Sequence, residues 1–435
     1  MVLSTNFDNI LFSHTDSRFA DCYMKLAEAA YFGDGENHIK SRQKVIKILG
    51  KVAKNGDKAI IEFTNKFDKV KLAPNQFMVS EEELKKAHDN IDKELLQSLR
   101  CAIDNVSKYQ EEIFSSKTIS GKVKYTPIER VGICVPGASA PLPSTVIMTV
   151  VPAQVAGVKE IVVVSPPRYK GSIHPTILAV CHELGITEVY RIGGAHAVAG
   201  LAYGTENIKA VNKIVGPGNQ WVQTAKHLVS AEVGTDSIAG PSEVLIIADD
   251  SANPAWIAAD MLSQAEHAPG SAIVFTDSQT FAEKLSDELD KQVVKLDRAE
   301  ETIRCLKKFS GIVVLEDLES AIKWANEFAP EHLQIQCGDK SKEIAEKINN
   351  AGAIFIGDYS PVAVGDYWAG PSHTLPTGGG AKFASALSAN DFVKATSIIE
   401  YSKDQLVESA DDIIRLARQE GLDAHAKSIQ IRQQD

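Results

Sequence analysis

The sequence predicts an α/β protein built on mostly parallel sheet. Three observations carry that prediction. From Arg130 onward short β-branched runs alternate with longer amphipathic segments; nine such runs can be counted; and the chain on either side of them has helical periodicity. With 435 residues, 44% hydrophobic and 24% charged, there is ample core for about three structural units, and collagen, mucin-like stalks and bulk disorder are excluded.

In chain order, Val45, Ile46, Ile48, Leu49 and Val52 recur at helical spacing, as do Ile91, Leu95, Leu99, Ala102, Ile103 and Val106, so the first 125 residues are expected to be a helical scaffold. Ser80 followed by Glu83 reads as a capping box. The nine candidate strands lie near residues 131–135, 160–165, 188–192, 213–216, 243–248, 272–276, 311–315, 333–337 and 352–356. That is too many for one small sheet. Strand-ending signatures fall on both sides of Gly240-Pro-Ser-Glu-Val244, which predicts two α/β units of similar size with a ligand crevice between them. Ala353 to Ile356 reads as a buried strand entering a long loop that holds Asp358, Asp366 and His373. After Gly380 the chain turns helical again, with Ile413, Ile414, Leu416 and Ala417 on one stripe. Its tail from Gly421 has no evident core and is expected to pack on something else, such as a second subunit.

Charge and composition narrow the function. The 46 basic and 57 acidic residues give a net charge of −11 without a basic stripe, which argues against nucleic acid as a partner. The longest apolar runs, such as Val131 to Val135, fall well short of the roughly 18 to 20 residues that cross a bilayer, so no membrane partner is expected. No secretory signal is apparent at the amino terminus, and cytoplasm is the expected compartment. Six cysteines (Cys22, Cys101, Cys134, Cys181, Cys305, Cys337) contain no CxxC pair and fit reduced, mostly buried thiols.

Three segments could carry chemistry. Asn253 as N-cap and Pro254 at the first helical position open a helix on which Asp260, Gln264 and His267 share a polar face. Gln264 and His267, three residues apart, can address one ion through an amide oxygen and a ring nitrogen, although an isolated pair of this kind is more often a solvated helix end. Pro330 halts the next segment, and Glu331 with His332 at the opening of a strand offers two groups able to move protons, or two loop residues with an ordinary hydrogen bond each. In the glycine-rich loop, Asp366 could give the same ion a hard oxygen and His373 could touch substrate. A nucleotide site is suggested by three turns: Pro136 to Ser139, Gly193 to Ala195, and Gly216-Pro-Gly-Asn219, where Trp221 replaces the third glycine of a dinucleotide fingerprint.

Taken together the segments resemble the histidinol dehydrogenase family. The resemblance runs through NGDKAIIEFTNKFDKV, RVGICVPGASAPLPSTVIM, RIGGAHAVAGLAYGTE, KIVGPGNQWV, AGPSEVLIIAD, LSQAEHAP, FAPEHLQI, VGDYWAGPSHTLPT and the tail Glu420 to His425. It implies a zinc-dependent, NAD-linked oxidation of L-histidinol through its aldehyde to L-histidine, with Zn2+ on Gln264, His267, Asp366 and His425. Glu331 and His332 match the proton-handling pair, and Ser242, His373 and Glu420 match substrate contacts alongside the zinc set and His332. Cys134, His196 and Asn219 fall on the cofactor side. The implied fold is a homodimer of two incomplete Rossmann-like domains, one inserted in the other: an amino-terminal segment 1–29, a first domain of 30–141 and 242–387, an inserted domain 142–241, and a helical tail 388–435. Small end segments would be exchanged between subunits, placing Glu420 and His425 in the partner's site. The chain departs from the family at Cys134 (usually aromatic), Ala138 (usually glycine) and His196 (usually glutamine). Those departures keep open a relative oxidising another small alcohol, such as a sulfonated diol. A zinc hydrolase using Glu331 on water is the reading from a different class.

Overall fold

The computed structural model describes residues 7–16, 19, 35–115, 121–137, 141–237, 239–267 and 269–433. Cys22, Ala138 and Ser139, named above, lie outside the described residues, as does most of the segment 1–29. The chain divides into two compact units, Met1–Ser115 with Pro127–Val393, and Ser116–Thr126 with Lys394–Asp435.

The larger unit holds two parallel sheets. Strands β1 (Leu11–Ser13), β8 (Ser242–Ala248), β9 (Gly270–Thr276), β10 (Gly311–Val314), β11 (His332–Gln336) and β12 (Ala353–Ile356) form one, in the order β1-β10-β9-β8-β11-β12. Strands β3 (Arg130–Cys134), β4 (Glu160–Val164), β5 (Glu188–Tyr190), β6 (Lys213–Val215) and β7 (Gly234–Thr235) form the other, in the order β5-β4-β3-β6-β7. All nine expected strands are present, and the sheets change at Gly240. Parallel strands need helical crossovers, which cover both faces, so the strands read as unbroken apolar runs. Every residue of β3 and β9 is buried accordingly. The pleat sends alternate side chains to opposite cores: Val163 packs on one side of its sheet, Val162 and Val164 on the other. Each fully buried Val or Ile contributes about 1.5–3 kcal/mol against exposure.

The helical scaffold is clamped to the five-stranded sheet's own helices. The Gly35–Asp68 helix packs on the helices Gly194–Tyr203 and Gln220–Val229, and Lys93–Ile113 packs on Pro143–Val155. Ser80 accepts from the Glu83 N–H and Glu83 reaches back to Ser80 N, the expected capping box. The long first helix breaks at Gly56 (φ 50°, ψ −132°), where the Glu206 carboxylate sits in the space a Cβ would need and accepts the Asp57 N–H at 2.8 Å. At the amino ends of β3, β4 and β5, the buried Arg130 guanidinium binds Glu160 at 2.7 Å and Glu188 at 2.6 and 2.8 Å.

Several expectations need correction. The first 125 residues are not all helical, since Leu11–Ser13 adds an edge strand beside β10 and β2 (Val123–Pro127) is extended. Three residues are too few for a periodic signal. The strand Ala353–Ile356 is not buried: it lies at the sheet edge, with Ile354 39% and Ile356 40% exposed. Asp366 lies on a short helix, Val362–Tyr367, rather than in a loop.

The smaller unit pairs β2 with β13 (Val393–Ser397) and carries the helices Lys403–Gln419 and Asp423–Gln430. Their contact is a small core of Ile414, Ala417 and Ala426 with Ile429 against it. Among the described residues no helix is long and apolar enough to cross a membrane.

Candidate active site

The six-stranded sheet brings Ser242 and Glu243, at the start of β8, beside Glu331 and His332, at the start of its parallel neighbour β11. The preceding helix Leu318–Phe328 ends with Ala329 in the left-handed region (φ 54°), which turns the chain into the strand. The two glutamates exchange hydrogen bonds with each other's backbone: Glu331 Oε2 accepts from Glu243 N at 2.9 Å, and Glu243 Oε1 from Glu331 N at 3.1 Å. Ser242 Oγ donates to Glu331 Oε2 at 2.7 Å, and Gly378 N donates to Glu243 Oε1 at 3.0 Å. Burial pushes the Glu331 carboxyl up to about 8; burial and the Glu331 charge push Glu243 up as well. Sequence reasoning missed Glu243. Its signal was present: an acid at the head of the apolar run Val244 to Ala248.

His332 is 3% exposed. Its Nδ1 donates to the Glu243 carbonyl at 3.0 Å, the assignment the acceptor requires, which leaves Nε2 as an unprotonated lone pair. That Nε2 is buried without a hydrogen-bond partner, 3.8 Å from Asp366 Oδ1. Burial lowers the imidazole's pKa, so the ring is held neutral. A neutral imidazole with a fixed tautomer and a free nitrogen is the form a general base requires.

Asn253 caps and Pro254 begins the Pro254–Ala265 helix as expected. Gln264 lies in its last turn, 2% exposed, with Nε2 lacking a partner; His267 follows the helix end and is exposed. Asp260 does not join them. Its carboxylate accepts from Gln334 Nε2 at 2.5 Å on the neighbouring strand. His373 stands 3.4 Å from Thr145 Oγ1; burial lowers its pKa, with Asp366, His332 and His267 all near enough to act on its charge. Asp366, His332 and His373 therefore stand near one another, with His267 close enough to act on the charge of His373. Ser372 Oγ, donating to Met148 O at 2.9 Å, ties the loop carrying His373 to the helix after β3.

Among the described residues no three His, Cys, Asp or Glu side chains are grouped to hold a metal ion. Of the implied set, only His267 and Asp366 in this unit are of those types. The donors nonetheless suit zinc: an imidazole, a carboxylate and a buried amide with an unmet polar atom, whose oxygen and nitrogen exchange by a flip. Glu420 and His425 belong to the smaller unit, where both are exposed.

Cys134, His196 and Asn219 line a single cleft of about 830 Å3 over the ends of β3, β4 and β6. The order β5-β4-β3-β6-β7 reverses direction between β3 and β6, the switch point where open α/β sheets bind ligands. Gly216 (φ 107°) lies so near Cys134 that a Cβ would meet its carbonyl oxygen at 2.4 Å. Gly216 N donates to Asp236 at 2.6 Å and its carbonyl accepts from the buried Lys226 at 2.9 Å, which fixes the loop. Asn219 Oδ1 caps the next helix by accepting from Trp221 N and Val222 N, leaving Nδ2 as the free donor. His196 is fully buried beside Thr64 Oγ1 at 3.2 Å, with Nδ1 unpartnered; burial drives its pKa down to about 3.

A parallel α/β scaffold with a switch-point cleft on one sheet and a buried imidazole–carboxylate centre on the other is the frame of an oxidoreductase. Comparison with known proteins names the kind. A model of the histidinol dehydrogenase family matches residues 34–433. The chain is 47% identical over 401 residues to the histidinol dehydrogenase of Oceanobacillus iheyensis, covering 90% of this chain and 93% of that one. It is 44% identical to that of Rhodopirellula baltica, covering 90% of each. The crystal structure of histidinol dehydrogenase from Elizabethkingia anophelis matches with a TM-score of 0.85 at 36% identity, covering 90% of this chain and 92% of that one. The chain belongs to the histidinol dehydrogenase family.

Proposed function

We propose that this chain oxidises L-histidinol to L-histidine by way of the aldehyde, the last steps of histidine biosynthesis, using NAD and zinc as a homodimer in the cytoplasm. The observation that carries this reading is His332: a neutral ring whose unpartnered Nε2 faces Asp366 beside a buried carboxyl. When bound, the dinucleotide supplies the hydride acceptor, and zinc supplies an anchor for substrate nitrogens with some Lewis-acid help. Gln264, His267 and Asp366, with His425 of the partner subunit, would hold the metal.

His332 Nε2 takes the carbinol hydroxyl proton, without which hydride cannot leave. Glu331, held by Ser242 Oγ and Glu243 N, takes a proton from water as the aldehyde is hydrated for the second oxidation. His373, with the partner subunit's Glu420, orients the substrate. Burial of Glu331 and His332 keeps bulk water from the aldehyde. The cofactor contacts are His196, Asn219 and the backbone at Cys134, whose buried thiol, pushed up to about 12, is inert. That one α/β unit is inserted in the other has support in β1, which pairs with β10: the six-stranded sheet draws strands from both sides of the segment that builds the five-stranded one.

Purified protein with histidinol, NAD and zinc should form NADH, in preference to a panel of small diols, sulfonated diols and other amino alcohols. Turnover of an ester without NAD would support a hydrolase and overturn the proposal. The pH profile follows from Glu331. A carboxyl raised to about 8 is neutral below that pH and charged above it. Oxidation of the aldehyde should therefore accelerate as pH rises towards 8, and Glu331→Gln should remove that rise.

A further inference from the structure

The sheet of β3 to β7 has the strand order of a mononucleotide-binding half. In such sheets the diphosphate lies over the turn after the first strand. The adenosine ribose reaches the end of the second, where a carboxylate accepts its hydroxyls and selects nucleotides with a free 2′-hydroxyl. Here the second strand is β4, and the segment after it, Ser165-Pro166-Pro167-Arg168, contains no acid. The acid arrives from elsewhere. Arg168 Nε donates to Oδ1 of Asp68 at 2.8 Å, and Asp68 is the last residue of the long first helix, 100 positions earlier. Both residues line the cleft. The Asp68 side chain is only 2% exposed, and its second oxygen, Oδ2, is buried without any hydrogen-bond partner. An unmet carboxylate oxygen is costly to bury, and one beside a ligand cleft is satisfied at no such cost once a donor arrives.

We infer that Asp68, oriented by Arg168, reads the adenosine ribose of the dinucleotide, Oδ2 accepting the 2′-hydroxyl and repelling a 2′-phosphate. The inference rests on the nucleotide reading of this cleft and deepens it. Arg168 commits its Nε to Asp68 Oδ1, which holds the carboxylate in place with Oδ2 turned to the cleft's ligand. Lys44 and Lys66 also line the cleft, over the rings of Trp221 at 5.9 Å and Phe67 at 5.5 Å. As exposed point charges they draw in the diphosphate that both nucleotides share.

Calorimetric titration of the zinc-loaded full-length protein with NAD, NADP and NAD lacking the adenosine 2′-hydroxyl tests this without turnover. Wild type should bind NAD roughly tenfold or more tightly than either of the others, the scale of one hydrogen bond to a charged group. Asp68→Asn should weaken NAD, strengthen NADP and abolish the difference between NAD and its 2′-deoxy form. Equal wild-type binding of NAD and the deoxy form, a comparison that needs no variant, would overturn the inference while leaving the nucleotide reading intact. Wild type that binds none of the three would overturn both.

Discussion

His332→Asn is expected to lower kcat for histidinol by about a hundred- to ten-thousandfold, the range a positioned general base contributes. The substitution separates the two roles of the ring. Asn can still donate an amide hydrogen towards the Glu243 carbonyl, which accepts Nδ1 at 3.0 Å in the native protein. It cannot supply a basic nitrogen where Nε2 stands. Folding, read by circular dichroism and the unfolding midpoint, should therefore change far less than the rate of NADH formation in a single turnover. A variant with wild-type kcat would remove His332 from the chemistry and leave the buried, unpartnered Nε2 without a function.

His425→Ala is expected to be nearly as damaging, through loss of bound zinc, although His425 is exposed on a unit that has its own small core. If the site is shared between subunits, the two inactive variants repair each other. Mixing His332→Asn with His425→Ala subunits should restore roughly a quarter of wild-type turnover, since half of the random dimers are mixed and each mixed dimer owns one intact site. Zinc should fill about half of the sites before and after mixing, because only the His425→Ala subunits lose a ligand, so recovered turnover would report re-paired sites and not added metal. No recovery after proven subunit exchange would mean that each site is built from one chain.

Much of this was legible in the sequence because it is local. The nine β-branched runs became strands within a residue or two, Ser80 and Glu83 formed their capping box, and Asn253 and Pro254 opened their helix. Periodicity and capping depend on neighbours a few positions away, and a linear reading captures them. The motifs around Glu331, His332 and Gln264 were readable for another reason: each is ambiguous alone, and it is their order along the chain that resembles one family.

Other features were set by neighbours distant in sequence. Whether Ala353–Ile356 lies inside a sheet or at its edge depends on what stands on its far side, so composition misjudged it. Asp260 shares a helical face with Gln264, yet Gln334 on the adjacent strand claims its carboxylate. Glu243 matters only because β8 and β11 run in register and let two glutamates bind each other's backbone. Asp68 and Arg168 meet across 100 residues for the same kind of reason. The sequence alone determined which residues could do chemistry and which segments would be strand or helix, since those follow from side-chain type and short-range period. Only the tertiary structure decided which atoms are left without partners, because desolvation and hydrogen-bond satisfaction are properties of a packed neighbourhood that no single stretch of chain contains.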